Sequence, residues 1–220
     1  MSSEFRKRIF TSLLLLSLLL LMHFYSFIMI ISLIIISIIV WIEFYGLISK
    51  ILKKDSIKNR ILRFLYKSTS LLYLILLVFF ILYIETYHPS MRVYVLYSVL
   101  VAVTSDVGGL VVGKTFKGIR LTKISPNKTI SGSIGSFIFS LLLIPFFNNI
   151  LMQQSILFLI LITLLISLTS QLGDLFISFL KRNANVKDTS DILPGHGGFL
   201  DRVDGIIFAI PIGLLLFNSF

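Results

Sequence analysis

The sequence predicts an all-α fold, a polytopic integral membrane helical bundle of about seven transmembrane helices, and three observations carry that expectation. Hydrophobic residues make up 56% of the chain and charged residues only 14%, whereas a soluble globular domain is about a quarter charged. The apolar residues fall in runs near the roughly 20 that a helix needs to cross a bilayer, with short polar loops between them. The 20 Lys and Arg residues, set against 10 acidic ones, crowd into some of these loops instead of following one soluble face. Topogenic charge and anionic lipid headgroups explain that distribution better than nucleic acid, which is not expected as a partner. With no Cys, disulfides, thiolate metal sites and a Cys nucleophile are excluded, and the redox compartment stays open.

Arg6-Lys7-Arg8 before an apolar run resembles a signal peptide, but no small-residue cleavage site follows, so a retained first span is expected. The run from Ile9 to Ile48 is too long for one crossing; His23, Tyr25 and Ser26 divide it into spans over 9–22 and 25–46. Trp41, Glu43 and Tyr45 read as interfacial anchors at the end of the second. Lys50, Lys53, Lys54, Lys58, Arg60, Arg63 and Lys67 form a basic loop, either a simple positive-inside determinant or an amphipathic helix on the lipid surface. A third span is expected over 68–85, followed by a short connection with His88 and Pro89. His23 and His88 both read as interfacial.

The fourth span, 91–113, places Ser98, Ala102, Ser105, Gly109 and Gly113 on one face, as a close helix contact would require. Asp106 adjoins that face, and a carboxylate at membrane depth is costly enough to suggest function. Lys114, Lys117, Arg120, Lys123 and Lys128 populate the next loop, and a fifth span follows over 130–147. The sixth, 155–180, carries Ser167, Gln171, Asp174, Ser178 and Lys181 at steps of four, three, four and three. This polar stripe must face protein or water. The last span starts near Val203, with Pro211 and Gly213 as kink points. With seven spans, every Lys and Arg except Arg92 falls on one side, which the positive-inside rule makes cytoplasmic. The whole chain, 1–220, reads as a single integral membrane domain without an internal repeat.

The polar chemistry is concentrated in region 174–204, supported by a polar segment over 104–132. From Ser178 to Asp204 the chain reads SFLKRNANVKDTSDILPGHGGFLDRVD, with Asp174 just upstream. Carboxylates there offer hard oxygen ligands, and glycines let backbone N–H groups approach anions, so the stretch points to phosphate and divalent-metal chemistry. Asp201 and Asp204, three apart, would share a helical face if the last span began there.

The ordered identities Ser178-x-Leu180-Lys181-Arg182, Lys187-Asp188-x-Ser190 and Leu193-Pro194-x-His196-Gly197-Gly198-Phe199-x-Asp201-Arg202-Val203-Asp204 resemble the signature of phosphatidate cytidylyltransferases, the CDP-diacylglycerol synthases. A looser resemblance covers Asp106-Val-Gly108-Gly109 and Ile124-Ser125-Pro126-Asn127-Lys128-Thr129-Ile130-Ser131-Gly132. Ser131 stands where that family carries glutamate, and its Gly-Lys pair is reversed here as Lys117-Gly118.

The resemblance implies the reaction of CTP with phosphatidate to give CDP-diacylglycerol and pyrophosphate. It also implies a bacterial inner (plasma) membrane location with the catalytic loops cytoplasmic. Two polyanions must be brought together, so metal ions and cationic side chains should supply most of the catalysis. Magnesium is the expected cofactor, with a second cation beside it left open. Asp174 and Asp201 are the expected metal ligands and catalytic centre, Asp204 supports them, and Asp106 is a further ligand or orients one. Lys181, Arg182, Lys187 and Arg202 are candidates for triphosphate or phosphatidate contacts. Gly197 and Gly198 would allow close backbone approach to phosphate, while Ser125, Lys128 and Thr129 would grip the nucleotide. His196 either donates a proton or hydrogen bond to the leaving pyrophosphate or only pins the loop. Besides substrates and bilayer, a second copy of the chain, as a homodimer, is a candidate partner. Three alternatives stay open: a CTP-dependent polyprenol or phytol kinase, a transporter whose ion path follows the polar stripe, and an inactive family member.

Overall fold

The structure is a computed structural model that describes residues 3–54, 56–122, 124–148, 150–151, 155–195 and 197–218. Its elements are α1 (Ser3–Phe24), α2 (Ser26–Ile51), α3 (Ile57–Tyr87), a 3-10 turn (Pro89–Met91), α4 (Arg92–Phe116), α5 (Ile130–Leu141), α6 (Ile144–Phe147), α7 (Ile156–Asn183), α8 (Leu200–Val203) and α9 (Ile206–Asn218). Two isolated backbone bridges, Arg120 with Thr129 and Leu193 with Gly197, are the β-type pairings among the described residues. The all-helical expectation therefore holds. Five stretches are long and apolar enough to cross a membrane: Ser26–Ile51, Ile57–Tyr87, Pro89–Phe116, Ile130–Phe147 and Ile156–Asn183. Ile9–Phe24 is a shorter apolar helix, and α9 has 13 residues.

The chain divides into two compact units, Met1–Pro89 with Leu180–Val203, and Ser90–Phe179 with Asp204–Phe220. In the first unit, α2 packs against α1 and α3, and also meets α8. The basic segment does not form a separate surface helix. Lys58, Arg60, Arg63 and Lys67 lie in the first turns of α3, which is continuous for 31 residues. Nothing between Ile57 and Tyr87 breaks it, since the stretch holds neither Gly nor Pro. Ser56 opens α3 by accepting the Asn59 N–H at 3.2 Å. At 1.5 Å per residue the helix is about 46 Å long, beyond the roughly 30 Å hydrocarbon core, so its charged start need not be buried in lipid. Lys67 also sits 3.3 Å above the Tyr45 ring, and its carbonyl accepts the Trp41 indole N–H at 3.2 Å.

In the second unit, α4 is the central contact element, packing against α5 and α9. The small-residue face of α4 is used for this packing. A Cβ on Gly108 would lie 2.5 Å from the Gly135 carbonyl oxygen, and one on Gly132 would lie 2.8 Å from the Gly109 carbonyl oxygen. Farther along, Ser105 and Ser167 share a hydrogen bond at 2.9 Å, and the buried Tyr97 hydroxyl pairs with Thr163 at 2.5 Å. An apolar cluster including Tyr97, Val101, Leu159, Ile162, Ile166 and Phe217 surrounds these pairs. Pro145 explains why the fifth stretch is split into α5 and α6, because proline lacks the N–H that would continue the ladder. Gly108→Leu should overpack the α4–α5 contact and cost about 1–3 kcal/mol. Thermal unfolding in detergent should register this as a melting point lowered by several degrees; an unchanged melting point would contradict the close contact.

Candidate active site

In the first unit the site is a loop hung between the end of α7 and α8. Helix α7 closes on Asn185, whose φ of 53° places it in the left-handed region. Val186 N donates to Lys181 O and Asn185 N to Arg182 O, both at 3.0 Å, so the carbonyls of the last turn are satisfied and the chain turns away. At the far tip, Leu193 and Gly197 exchange backbone hydrogen bonds of 2.8 and 3.1 Å. Gly195 and Gly197 have φ of 76° and 80°, values that glycine adopts without strain. His196, a proposed proton donor, lies outside the described residues.

Asp201 ties this loop together. Its Oδ1 accepts from Lys181 Nζ at 2.6 Å, and its Oδ2 accepts from Thr189 N at 2.8 Å and Gly198 N at 3.0 Å. The Asp201 and Lys181 side chains are only 4% and 12% exposed. Burial alone would raise the Asp201 carboxyl, but the Lys181 ammonium and the Thr189 and Gly198 N–H groups outweigh it and hold it below the ordinary aspartate value. A depressed folded value means that the unfolded chain binds the proton more tightly. The stabilisation is therefore full above the unfolded value of about 4 and is lost as pH falls through the lower folded value. Asp201→Asn should remove that part of the acid-side loss, as acid titration of thermal stability would show; identical acid profiles would contradict it.

Arg182, Lys187 and Arg202 are exposed on the same unit. Arg182 Nη1 makes a long 3.4 Å contact with the Val186 carbonyl. Gly198 is buried, and an added Cβ would overlap Thr189 Oγ1 and fall 2.5 Å from Glu43 Oε2. The missing side chain thus makes room for two protein groups. Glu43, read from the sequence as an interfacial anchor, is instead 4% exposed and faces the loop. It lies on the buried face of α2 with Val40 and Leu47, at steps of three and four. A lone carboxylate in an apolar helix is the signal that could have identified it.

In the second unit, residues 119–121 and 128–130 run alongside each other. Leu121 N donates to Lys128 O at 2.7 Å and Ile130 N to Ile119 O at 3.0 Å. Ser125 lies between them; its carbonyl accepts the Lys128 N–H at 3.1 Å. Thr129 caps α5 by accepting the Gly132 N–H at 3.0 Å. The second segment delivers Lys128 to Asp174, with which it forms an ion pair. Ser178 Oγ also donates to Asp174 Oδ1 at 3.3 Å. The remaining stripe residues of α7 likewise face protein: Gln171 accepts from Ser133 Oγ at 2.5 Å, and Ser167 bonds Ser105. Ser131 donates its hydroxyl hydrogen to the Lys117 carbonyl.

Asp204 is buried, and its Oδ1 accepts the Gly205 N–H at 2.9 Å. A turn at Asp204–Gly205 separates α8 from α9, so Asp201 and Asp204 do not share one helix as the spacing suggested. Asp106 is exposed on α4. Among the described residues, no three His, Cys, Asp or Glu cluster as a metal site. Asp201 and Asp174 are each paired with a lysine in their own unit.

Long apolar helices joined to polar turns that hold lysine-paired aspartates are the features of an integral membrane protein. The Cytidylyltransferase family model matches residues 1–220, and the chain belongs to that family. It is 41% identical over 129 residues to the phosphatidate cytidylyltransferase of Bacillus subtilis (strain 168), covering 58% of this chain and 48% of the relative. The phosphatidate cytidylyltransferase of Staphylococcus haemolyticus (strain JCSC1435) is 43% identical over 123 residues, 54% of this chain and 46% of that one. The Staphylococcus aureus (strain COL) protein of the same name is 39% identical over 143 residues, 64% and 55% of the respective chains. The chain spans about half the length of these curated relatives. The bacterial relatives and the apolar helices together support an integral bacterial membrane location.

Proposed function

We propose that this chain carries out cytidylyl transfer from CTP to phosphatidate, giving CDP-diacylglycerol and pyrophosphate. A phosphate oxygen of phosphatidate attacks the α-phosphorus of CTP. The bond from that phosphorus to the bridging oxygen breaks, and pyrophosphate leaves with the electron pair. The buried Lys181–Asp201 pair, in a loop that also presents Arg182, Lys187 and Arg202, is the observation that supports this reading most directly. The cations would attract and orient the two polyanionic substrates. Lys128, with Ser125 and Thr129 close by in the chain, would contact the nucleotide.

Magnesium would find hard oxygen ligands in Asp174 and Asp201, and the lysine that each carboxylate now pairs with would have to give way to the ion. When bound, the ion would neutralise charge on the triphosphate and on the leaving pyrophosphate. In the first unit Asp201 would be the metal ligand; in the second unit it would be Asp174, supported by Asp204 and Asp106. In this reading α1 and α9 also cross the bilayer, giving seven spans, and the loops at 114–128 and 181–202 face the cytoplasm.

Purified protein in detergent, given CTP, phosphatidate and magnesium, should release pyrophosphate, and omission of either lipid or metal should abolish release. Formation of CDP without pyrophosphate would replace this reading with that of a lipid kinase.

A further inference from the structure

We propose that Glu43 is the positioning residue of the signature loop, holding Asp201 in register with Lys181 through Thr189 and the backbone of Phe199 and Leu200; this rests on the cytidylyl-transfer reading above. Glu43 lies 146 to 157 positions before its partners, yet the loop closes around its carboxylate. Oε1 accepts from Ser190 Oγ at 2.6 Å and Phe199 N at 3.0 Å. Oε2 accepts from Thr189 Oγ1 and Leu200 N, both at 2.8 Å. Each oxygen therefore joins the limb entering the loop to the limb leaving it. Asp201 Oδ2 joins the same limbs from its own side, through Thr189 N and Gly198 N.

Two carboxylates thus pin one loop, with Thr189 common to both. The Thr189 hydroxyl has a single hydrogen but lies 2.8 Å from Glu43 Oε2 and 3.0 Å from Asp201 Oδ2. That hydrogen can go to only one of the two carboxylates at a time, so the Thr189 hydroxyl links Glu43 and Asp201. Gly198 is an independent sign of the same constraint, since a Cβ there would collide with both Thr189 and Glu43. Glutamine cannot replace Glu43 at this point. Its amide has one acceptor oxygen, and its NH2 group would face the N–H of Phe199 or Leu200, a backbone donor that cannot rotate away.

The test compares wild type, Glu43→Gln, Thr189→Val and the double variant in CTP-dependent pyrophosphate release. Displacing Asp201 should lower kcat roughly tenfold to a hundredfold, while KM for CTP changes little because the exposed cations stay in place. Effects transmitted through one shared contact should not multiply, so the double variant should be no slower than the slower single variant. Full kcat in folded Glu43→Gln, or losses that multiply, would overturn the proposal. If Glu43→Gln does not fold, the kcat of Thr189→Val decides: a drop with KM retained supports the role, and full kcat ends it.

A second readout needs no turnover. The chain has no Cys, so Leu193→Cys, at a buried loop position, provides a single thiol for maleimide labelling. Labelling should be slow in that background and several-fold faster once Glu43→Gln is added; equal rates would show that Glu43 does not hold the loop. If wild type releases no pyrophosphate, the reaction assignment fails, while the labelling rates still decide the loop's dependence on Glu43.

Discussion

Asp201→Asn should lower the rate of pyrophosphate release by roughly a hundredfold to a thousandfold, the scale on which loss of one electrostatic element at a reacting centre is felt. The neutral amide is the smaller part of the reason. Asparagine can keep its oxygen toward Thr189 N and Gly198 N, but its NH2 then faces the Lys181 ammonium that Asp201 now meets at 2.6 Å. Turned the other way, it loses both backbone donors. Either arrangement leaves a 12% exposed ammonium or two backbone N–H groups unmatched. Removing one partner of a buried pair costs about 3–5 kcal/mol, so the variant should also melt at a lower temperature. Adding Lys181→Met should recover most of that stability and none of the activity, because no ammonium is left stranded while the site still lacks its charges. A stable and fully active Asp201→Asn protein would remove Asp201 from the centre of the site.

The same change at Asp174 should separate activity from stability. Asp174→Asn should slow the reaction by about a hundredfold if that carboxylate serves a metal or the nucleotide. Its effect on folding should be small. Asp174 and Lys128 are 23% and 28% exposed, and pairs reached by solvent contribute about 0–1 kcal/mol. Parallel measurements of pyrophosphate release and thermal unfolding on the two asparagine variants should therefore give two different signatures. A large stability loss at Asp174 would mark its pair with Lys128 as part of the scaffold instead.

Much of this arrangement is legible in the sequence because it is local or periodic. Apolar runs mark the helices. The steps of three and four along Ser167, Gln171, Asp174 and Ser178 place them on one face, and the structure finds protein partners for each. The density of Asp, Lys and Gly between Ser178 and Asp204 likewise points to the loop that Asp201 ties together. What stays hidden depends on distance along the chain or on a single local break. Glu43 looks like an anchor because periodicity cannot reveal partners 146 residues away. The basic run before Lys67 looks like a loop because charge density suggests solvent, yet charged residues of good helix propensity extend α3 without a breaker. Asp201 and Asp204 look like helical neighbours, but α8 ends at Val203 and Asp204 already belongs to the turn that follows.

The Ser131 tether has a consequence for how this sequence could change over time. A serine hydroxyl can donate to the Lys117 carbonyl, as it does here; an ionised glutamate can only accept, and would set an anionic oxygen against that carbonyl. Ser131→Glu would therefore break the tie between the two ends of the loop at the moment it introduced a carboxylate. Lys117, whose φ of 53° is unusual for a residue with a side chain, would lose the hydroxyl that its carbonyl now meets. The serine at this position is thus easier to keep than to exchange for a carboxylate.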